Sequence, residues 1–67
     1  MKKDHFKITF TYLKDYATVK TYAIADAFSS ETAKQSLVSE MSSLFKDVKV
    51  VDCVKITDEE YKKIMFS

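Results

Sequence analysis

The 67-residue sequence contains no glycine, proline, asparagine or arginine. Glycine and asparagine enter left-handed backbone conformations at low cost and proline pre-sets turns, so the connections here must be built from other residues. Without glycine the chain has no phosphate-cradling loop, no dinucleotide fingerprint and no nucleophile elbow. Without arginine it has no bidentate group for phosphate, carboxylate or guanine. These absences exclude several classes of function and select none.

The charges of the sequence nearly cancel, since eleven lysines and ten acidic residues leave a net charge of +1. No long-range field therefore directs the chain to nucleic acid or to a membrane surface. No apolar run approaches the roughly 20 residues that span a bilayer, and the first residues lack an apolar signal core. A single cysteine, Cys53, supports neither a disulfide framework nor a zinc site. We expect a cytoplasmic protein without membrane contact.

The length and composition predict one small globular domain over residues 1–67. Hydrophobic residues make up 46% of the chain and include four tyrosines and five phenylalanines, which is typical of a folded protein rather than a disordered one. A chain of this size forms a core that is only marginally sufficient, and no disulfide or metal is expected to strengthen it. Because small domains often gain stability by association, we expect a homodimer.

The first half of the sequence predicts a β-hairpin. Apolar and polar residues alternate from Phe6 to Leu13, in a segment rich in aromatic and β-branched residues that is typical of a strand. A second extended segment runs from Tyr16 to about Ala27. Lys14–Asp15 is the only turn-like pair between them, because aspartate tolerates unusual turn geometry. A tight turn at this pair is therefore expected.

The expected turn sets a register that sorts the hairpin side chains into two faces. If Leu13 lies opposite Tyr16, then Phe10 lies opposite Val19 and large residues meet small ones across the buried face. That buried face carries the aromatic and β-branched side chains of the first strand: Phe6, Ile8, Phe10 and Tyr12. The other face carries Leu13, Tyr16, Tyr22 and Ile24 together with Lys7 and Lys20.

A helix, a strand and a second helix are predicted to follow the hairpin. Ser29 is the expected N-cap of a helix that runs to about Lys46 with one apolar stripe. The third strand, 48–56, is apolar at both parities, which indicates either burial on both faces or a bulge near Asp52. The run Thr57-Asp58-Glu59-Glu60 is a capping box, and it predicts a short helix from Asp58 to about Phe66.

The resulting prediction is an α+β fold of order β-β-α-β-α, with a three-stranded sheet, one amphipathic helix on one face and a short C-terminal helix. Because a helix connects the second and third strands, we expect the third strand to lie parallel to one hairpin strand through a right-handed connection. The face away from the first helix is then open. The terminal helix can fold back on part of that face with Tyr61, Ile64 and Met65.

The residues with catalytic chemistry lack suitable partners. His5 is expected to be a solvated residue at a strand end, with Ile24 and Lys7 as its neighbours. Cys53 lies in an apolar strand, where a free thiol behaves as a small buried hydrophobe. The acidic run 58–60 is explained by the first turn of a capped helix rather than by a cation. We therefore expect no enzyme activity, no cofactor and no metal site.

The open sheet face is the strongest functional indication in the sequence. Tyrosine is enriched at interface hot spots, so the expected patch of Leu13, Tyr16, Tyr22 and Ile24 favours a module that binds an unidentified protein partner as well as itself. The alternative is a regulator that binds nucleic acid through Lys7, Lys20 and Tyr22, because lysines beside an aromatic ring can hold single-stranded bases. The absence of arginine and the small net charge count against this alternative.

Three features together resemble a known group of proteins: the hairpin, the helix entry Ala-Phe-Ser-Ser-Glu-Thr-Ala and the valine-rich third strand. They span roughly Phe6 to Ile56. The chain resembles, in pattern, small uncharacterised accessory proteins of phages and prophages of low-GC Gram-positive bacteria. This resemblance implies a protein that binds and inhibits or modulates a host protein, including components of antiviral defence. It carries over no functional residue.

Overall fold

The computed structural model describes residues 2–66. It contains three strands and two helices in the predicted order, which confirms the α+β fold and the β-β-α-β-α arrangement. These elements are β1 (Asp4–Lys14), β2 (Ala17–Ala27), α1 (Ser30–Ser42), β3 (Lys46–Ile56) and α2 (Asp58–Phe66).

The three strands form one sheet of order β2-β1-β3, and both pairings are antiparallel. The third strand was expected to lie parallel to one hairpin strand; it has the direction of β2, but it does not pair with β2. Since β2 and β3 are each antiparallel to β1, they run in the same direction, but β1 lies between them. The α1 connection crosses over this central strand instead of joining two neighbours.

The hairpin turn lies one residue later than predicted. Asp15 and Tyr16 form it, with φ of 51° and 67°, and Lys14 pairs with Ala17. Two consecutive left-handed residues are typical of the tight hairpin turn that matches strand twist. Phe10 consequently lies opposite Thr21 rather than Val19. A shift of two residues preserves side-chain parity, so the predicted division of the strand residues into two faces is retained.

The first face of the sheet, defined as the side that packs against α1, holds the core. Phe6, Ile8 and Phe10 of β1 are buried there against Ala33 and Leu37 of α1. Small residues lie opposite the large ones on β2, since Ile8 pairs with Ala23 and Phe6 with Ala25. The small β2 side chains leave room for the helix to approach the sheet.

Helix α1 begins as predicted and ends earlier. The Ser29 hydroxyl caps it by accepting a hydrogen bond from the Thr32 N–H at 3.3 Å. The helix ends at Ser42, four residues before the expected Lys46. The Ser43 hydroxyl donates to the Glu40 carbonyl at 2.6 Å, a local bond that competes with helix continuation. Phe45, which falls within the expected range of the helix, lies in the connection and stacks on Tyr12 with 4.1 Å between ring centres.

A bulge explains the apolar residues at both parities of β3. Thr9 pairs with Asp52 while Phe10 pairs with Val50, so Val51 is the extra residue. Val51 is 56% exposed and Val54, on the other side of the sheet, is 48% exposed, so β3 is not buried along both faces. The bulge brings the residues on either side of it onto the first face, where Val48, Val50 and Cys53 pack against the core.

Helix α2 lies on the second face, defined as the side of the sheet away from α1. Its capping box forms as predicted: the Glu60 N–H donates to the Thr57 hydroxyl at 3.1 Å, and the Thr57 N–H donates to the Glu60 carboxylate at 3.4 Å. No residue of α2 is buried. The helix thus starts at the β3 edge with a firm cap and remains accessible along its length.

Candidate functional site

Helix α2 crosses one end of the second face from the β3 edge towards the β2 edge. Tyr61 lies over β1, where its ring stacks on His5 with 3.8 Å between ring centres. One turn further along, Ile64 and Met65 approach β2. The path of the helix leaves the centre and the far end of the second face uncovered.

An open groove separates α2 from β2. Its volume is about 490 Å³, and its apolar walls come from Tyr22 and Ile24 on the strand and from Ile64 and Met65 on the helix. Asp26 and Tyr61 close the end nearest the capping box. Tyr22 is 49% exposed, so this large side chain is half available to another molecule. The groove, defined by these residues, is the candidate site.

A cluster around His5 attaches α2 to the sheet. His5 Nδ1 lies 2.6 Å from Asp26 Oδ1 on β2, and His5 Nε2 lies 3.2 Å from Asp58 Oδ1 on α2. The cluster of His5, Asp26, Asp58 and Tyr61, called the clamp below, joins β1, β2 and α2 through two close side-chain contacts of His5 and one ring stack.

The clamp corrects the prediction that His5 is a solvated residue with Ile24 as its neighbour. The two-residue register shift places Asp26 opposite His5 instead. The side chain of His5 is 19% exposed because Tyr61 covers it. The sequence contained one signal that could have predicted this contact. A hairpin turn placed one residue later pairs His5, the only histidine, with the acidic residue Asp26.

Asp58 of the clamp also forms an ion pair with a lysine outside it. Lys2 Nζ lies 3.4 Å from Asp58 Oδ2. The hydrogen bond and the positive charge of Lys2 lower the pKa of the Asp58 carboxyl below its ordinary value, and His5 adds to this effect while partial desolvation opposes it. The carboxylate form of Asp58 is thus the form that holds α2 in place.

The four residues predicted to bind a partner fall into two groups. Tyr22 and Ile24 line the groove. Leu13 and Tyr16 lie at the hairpin end of the sheet beside Leu44, and Tyr16 stands in the turn rather than on the sheet face. Since Tyr22 and Ile24 pair with Thr9 and Lys7, four and six residues from Leu13 along β1, the two groups are separated by about 13–20 Å. Sequence reasoning missed Ile64 and Met65 as walls of one groove, although it named both as residues able to cover the sheet.

The residues of the nucleic-acid alternative share the second face. Lys7 Nζ lies 4.7 Å from the centre of the Tyr22 ring, and Lys20 is exposed nearby on β2. The lysine over the ring occupies one surface on which a base would stack. Asp26 and Asp52 lie on the same face, so its charge is mixed.

Cys53 lies away from the clamp, on the first face opposite Ile8. Its thiol is half-buried, and burial is the main cause that raises its pKa, while the charge of Lys34 opposes the rise. A raised pKa keeps a thiol protonated and weakly nucleophilic at neutral pH. Among residues 2–66, no group of three or more histidine, cysteine or acidic side chains has the arrangement of a metal site.

Comparisons with protein-family models, with curated proteins and with solved structures found no match for this chain. Neither helix in the described part of the chain is long and apolar enough to cross a bilayer.

Proposed function

We propose that this chain is a non-enzymatic protein-interaction module that binds through the groove between β2 and α2. The observation that carries the proposal is the half-exposed Tyr22 beside Ile24, Ile64 and Met65. A tyrosine bordered by aliphatic side chains is typical of binding hot spots, because its ring contributes a large contact area and its hydroxyl tolerates solvent.

The construction of the groove supports this proposal. The polar groups of the clamp hold α2 on the sheet, and the aliphatic side chains of α2 are not buried in a core. A preformed apolar groove with a few polar groups at its rim needs little rearrangement on binding. Both features suit a docking surface better than a purely structural helix contact.

The proposal also covers the class of partner and the assembly. Homodimerisation is proposed because the chain is short and leaves the apolar groove unfilled. The resemblance to phage and prophage accessory proteins supplies the further part, namely that binding inhibits or modulates a protein of the host cell.

The experiment compares capture of proteins from the source cell by three forms of the chain. Tyr22→Ala/Ile24→Ala alters the groove, and Leu13→Ala/Tyr16→Ala is a matched control at the hairpin end. We expect the groove variant to lose the proteins that both wild type and control retain, while all three unfold at similar temperatures. Equal capture by the groove variant and wild type contradicts the proposal, as does selective loss in the hairpin-end variant.

A second candidate, binding of single-stranded nucleic acid, is favoured by the placement of Lys7, Lys20 and Tyr22 on one face. It predicts oligonucleotide binding that weakens steeply with salt and is reduced in Lys7→Ala/Lys20→Ala. Absence of binding at low ionic strength removes this candidate.

A further inference from the structure

The sheet has two free edges, and they differ in their ability to pair with another strand. Strand β3 is interrupted by the Val51 bulge and by a second irregularity near Asp47, which has φ of 56°. Five of its eleven residues are charged. Bulges and edge charges are the usual means by which proteins prevent strand addition.

Strand β2 has none of these interruptions. Its eleven residues pair with β1 without a bulge, and no proline breaks the series of backbone groups on its outer side. Lys20 and Asp26 are its only charged residues, and both lie on the second face with Tyr22 and Ile24. An edge of this kind is a template for a further strand.

We propose that a second copy of this chain pairs antiparallel along β2, about a two-fold axis at Ala23, with each Tyr22 entering the groove of the other copy. The proposal rests on the proposed function, since it names the first occupant of the same groove. It creates a continuous six-stranded sheet and adds no new element to either copy.

The axis at Ala23 is chosen by charge and shape. In a two-fold antiparallel pair each residue lies opposite the residue equally far beyond the axis, so an axis at Ala23 sets Lys20 opposite Asp26 of the second copy. The same axis sets Tyr22 opposite Ile24, an aromatic and β-branched pair of the kind that stabilises sheets. An axis at Tyr22 would instead place Lys20 opposite Ile24, and one at Thr21 would leave Asp26 opposite the turn.

The charged groups are available for this pairing. Within residues 2–66, Lys20 makes no ion pair, and Asp26 accepts a hydrogen bond only from His5, through Oδ1. The second carboxylate oxygen of Asp26 points to no partner in this range and can accept from the lysine of another copy. Each dimer would contain two such pairs because of its symmetry.

In this register Tyr22 of the second copy lies beside the groove. Ile24 forms its strand wall, and Ile64 and Met65 form its helix wall. The second copy's Tyr22 would stand directly opposite Ile24, and its ring would extend between these walls. On the first face the same register pairs small residues: Thr21 lies opposite Ala25 of the second copy, and Ala23 lies opposite Ala23. No bulky side chain of these pairs therefore obstructs the approach of the two strands.

The test measures the dimer dissociation constant by sedimentation equilibrium for wild type and three variants. Lys20→Asp places two negative charges opposite each other across the interface, and Asp26→Lys places two positive charges there. We expect each variant alone to raise the dimer dissociation constant about tenfold or more. An equimolar mixture of the two restores both opposite-charge pairs, so association close to that of wild type is expected. Lys49→Asp, on the β3 edge of the same face, is the matched control and leaves the constant unchanged.

Rescue on mixing separates this proposal from damage to the clamp, because Asp26→Lys disrupts the clamp in its own copy whether or not it is mixed. A monomeric wild type at millimolar concentration overturns the proposal. So does loss of association without rescue, or greater loss in Lys49→Asp than in Lys20→Asp.

The outcomes also distinguish this inference from the proposed function. If the wild type is a monomer but Tyr22→Ala/Ile24→Ala still loses the captured proteins, the proposed dimer is rejected and the proposed function is retained. A dimer that shows charge rescue, combined with unchanged capture by the groove variant, rejects binding of a heterologous partner in the groove and retains self-association.

Discussion

The two faces of the sheet are covered by helices in opposite ways. On the first face, α1 packs on Phe6, Ile8 and Phe10, and Ile8 is fully buried. On the second face, α2 has no buried residue, and it is attached through the clamp. Apolar burial thus dominates the first contact, while the second face combines the clamp with a single buried residue of β3, Ile56, which pairs with His5. The contrast indicates that the first face maintains the fold while the second face keeps apolar side chains accessible.

The energies of the two contacts explain why they should behave differently. Burying an aliphatic side chain contributes about 1.5–3 kcal/mol, and the first face buries several of them. A hydrogen bond at a partly exposed site contributes about 1 kcal/mol after the competition of water. We therefore expect α2 to open at a lower free energy than global unfolding, as weakly packed elements do.

The largest expected difference between the faces comes from truncating one isoleucine on each. Ile8→Ala should lower the free energy of unfolding by about 3–4 kcal/mol, because it removes buried atoms and leaves a cavity. Ile24→Ala, the same substitution beside the groove, should cost about 1 kcal/mol or less because its site is open to solvent. Chemical denaturation of both variants measures the two values. Equal losses would contradict the assignment of the core to the first face.

The next prediction removes the centre of the clamp. His5→Gln should lower stability by about 1.5 kcal/mol, since glutamine lacks the ring that stacks on Tyr61 and the two ring nitrogens that contact Asp26 and Asp58. The loss should appear first in α2, where amide hydrogen exchange accelerates while exchange in β1 changes little. Lys7→Gln, on the same strand and face, is the control and should leave α2 unchanged. Uniform acceleration over both helices would show that α2 is part of the global unit.

The two N-caps offer a comparison of equal chemistry on the two faces. Ser29→Ala should reduce the free energy of global unfolding by about 1 kcal/mol, because α1 is part of the core. Thr57→Ala removes the corresponding N-cap from α2, so its effect should be fraying of α2 with a smaller change in the global midpoint. Circular dichroism and denaturant titration together separate helix loss from unfolding. A larger global effect of Thr57→Ala than of Ser29→Ala would reverse the comparison.

The smallest expected effect is the response of α2 to acid. The pKa of Asp58 in the folded chain lies below its ordinary value of 3.8, so its contribution is fully present above about pH 3.8 and is lost as pH falls through the lowered pKa. Protection of the α2 amides, measured relative to their intrinsic exchange rates, should therefore fall below about pH 3.8 more than protection in α1. Asp58→Asn should show a smaller change over this range. Identical acid responses of variant and wild type would assign the loss to other carboxylates.

The local features of the fold followed from short stretches of sequence. Both caps formed at the predicted residues, since Ser29 and Thr57 satisfy N–H groups within three positions of themselves. The alternation of β1 predicted the core face because side-chain parity is fixed by the strand itself. The bulge in β3 was one of two stated alternatives, and parity alone could not choose between them.

The candidate site was predicted in part. Tyr22 and Ile24 were named, and both line the groove, but Leu13 and Tyr16 lie at the other end of the sheet. The clamp was missed because it depends on a register set by a turn of two non-glycine residues in left-handed conformation. A shift of one turn position changes every cross-strand neighbour, although it changes no face.

The absence of glycine and arginine excluded glycine-rich phosphate loops and bidentate guanidinium contacts. The alternating and capped segments determined the strands and helices. These are local properties, decided by residues close together in the chain. Only the tertiary structure decided that β3 pairs with β1 and that His5 meets Asp26 and Asp58. Each of these depends on contacts between distant segments, where the free energies of competing registers differ by less than sequence patterns can resolve.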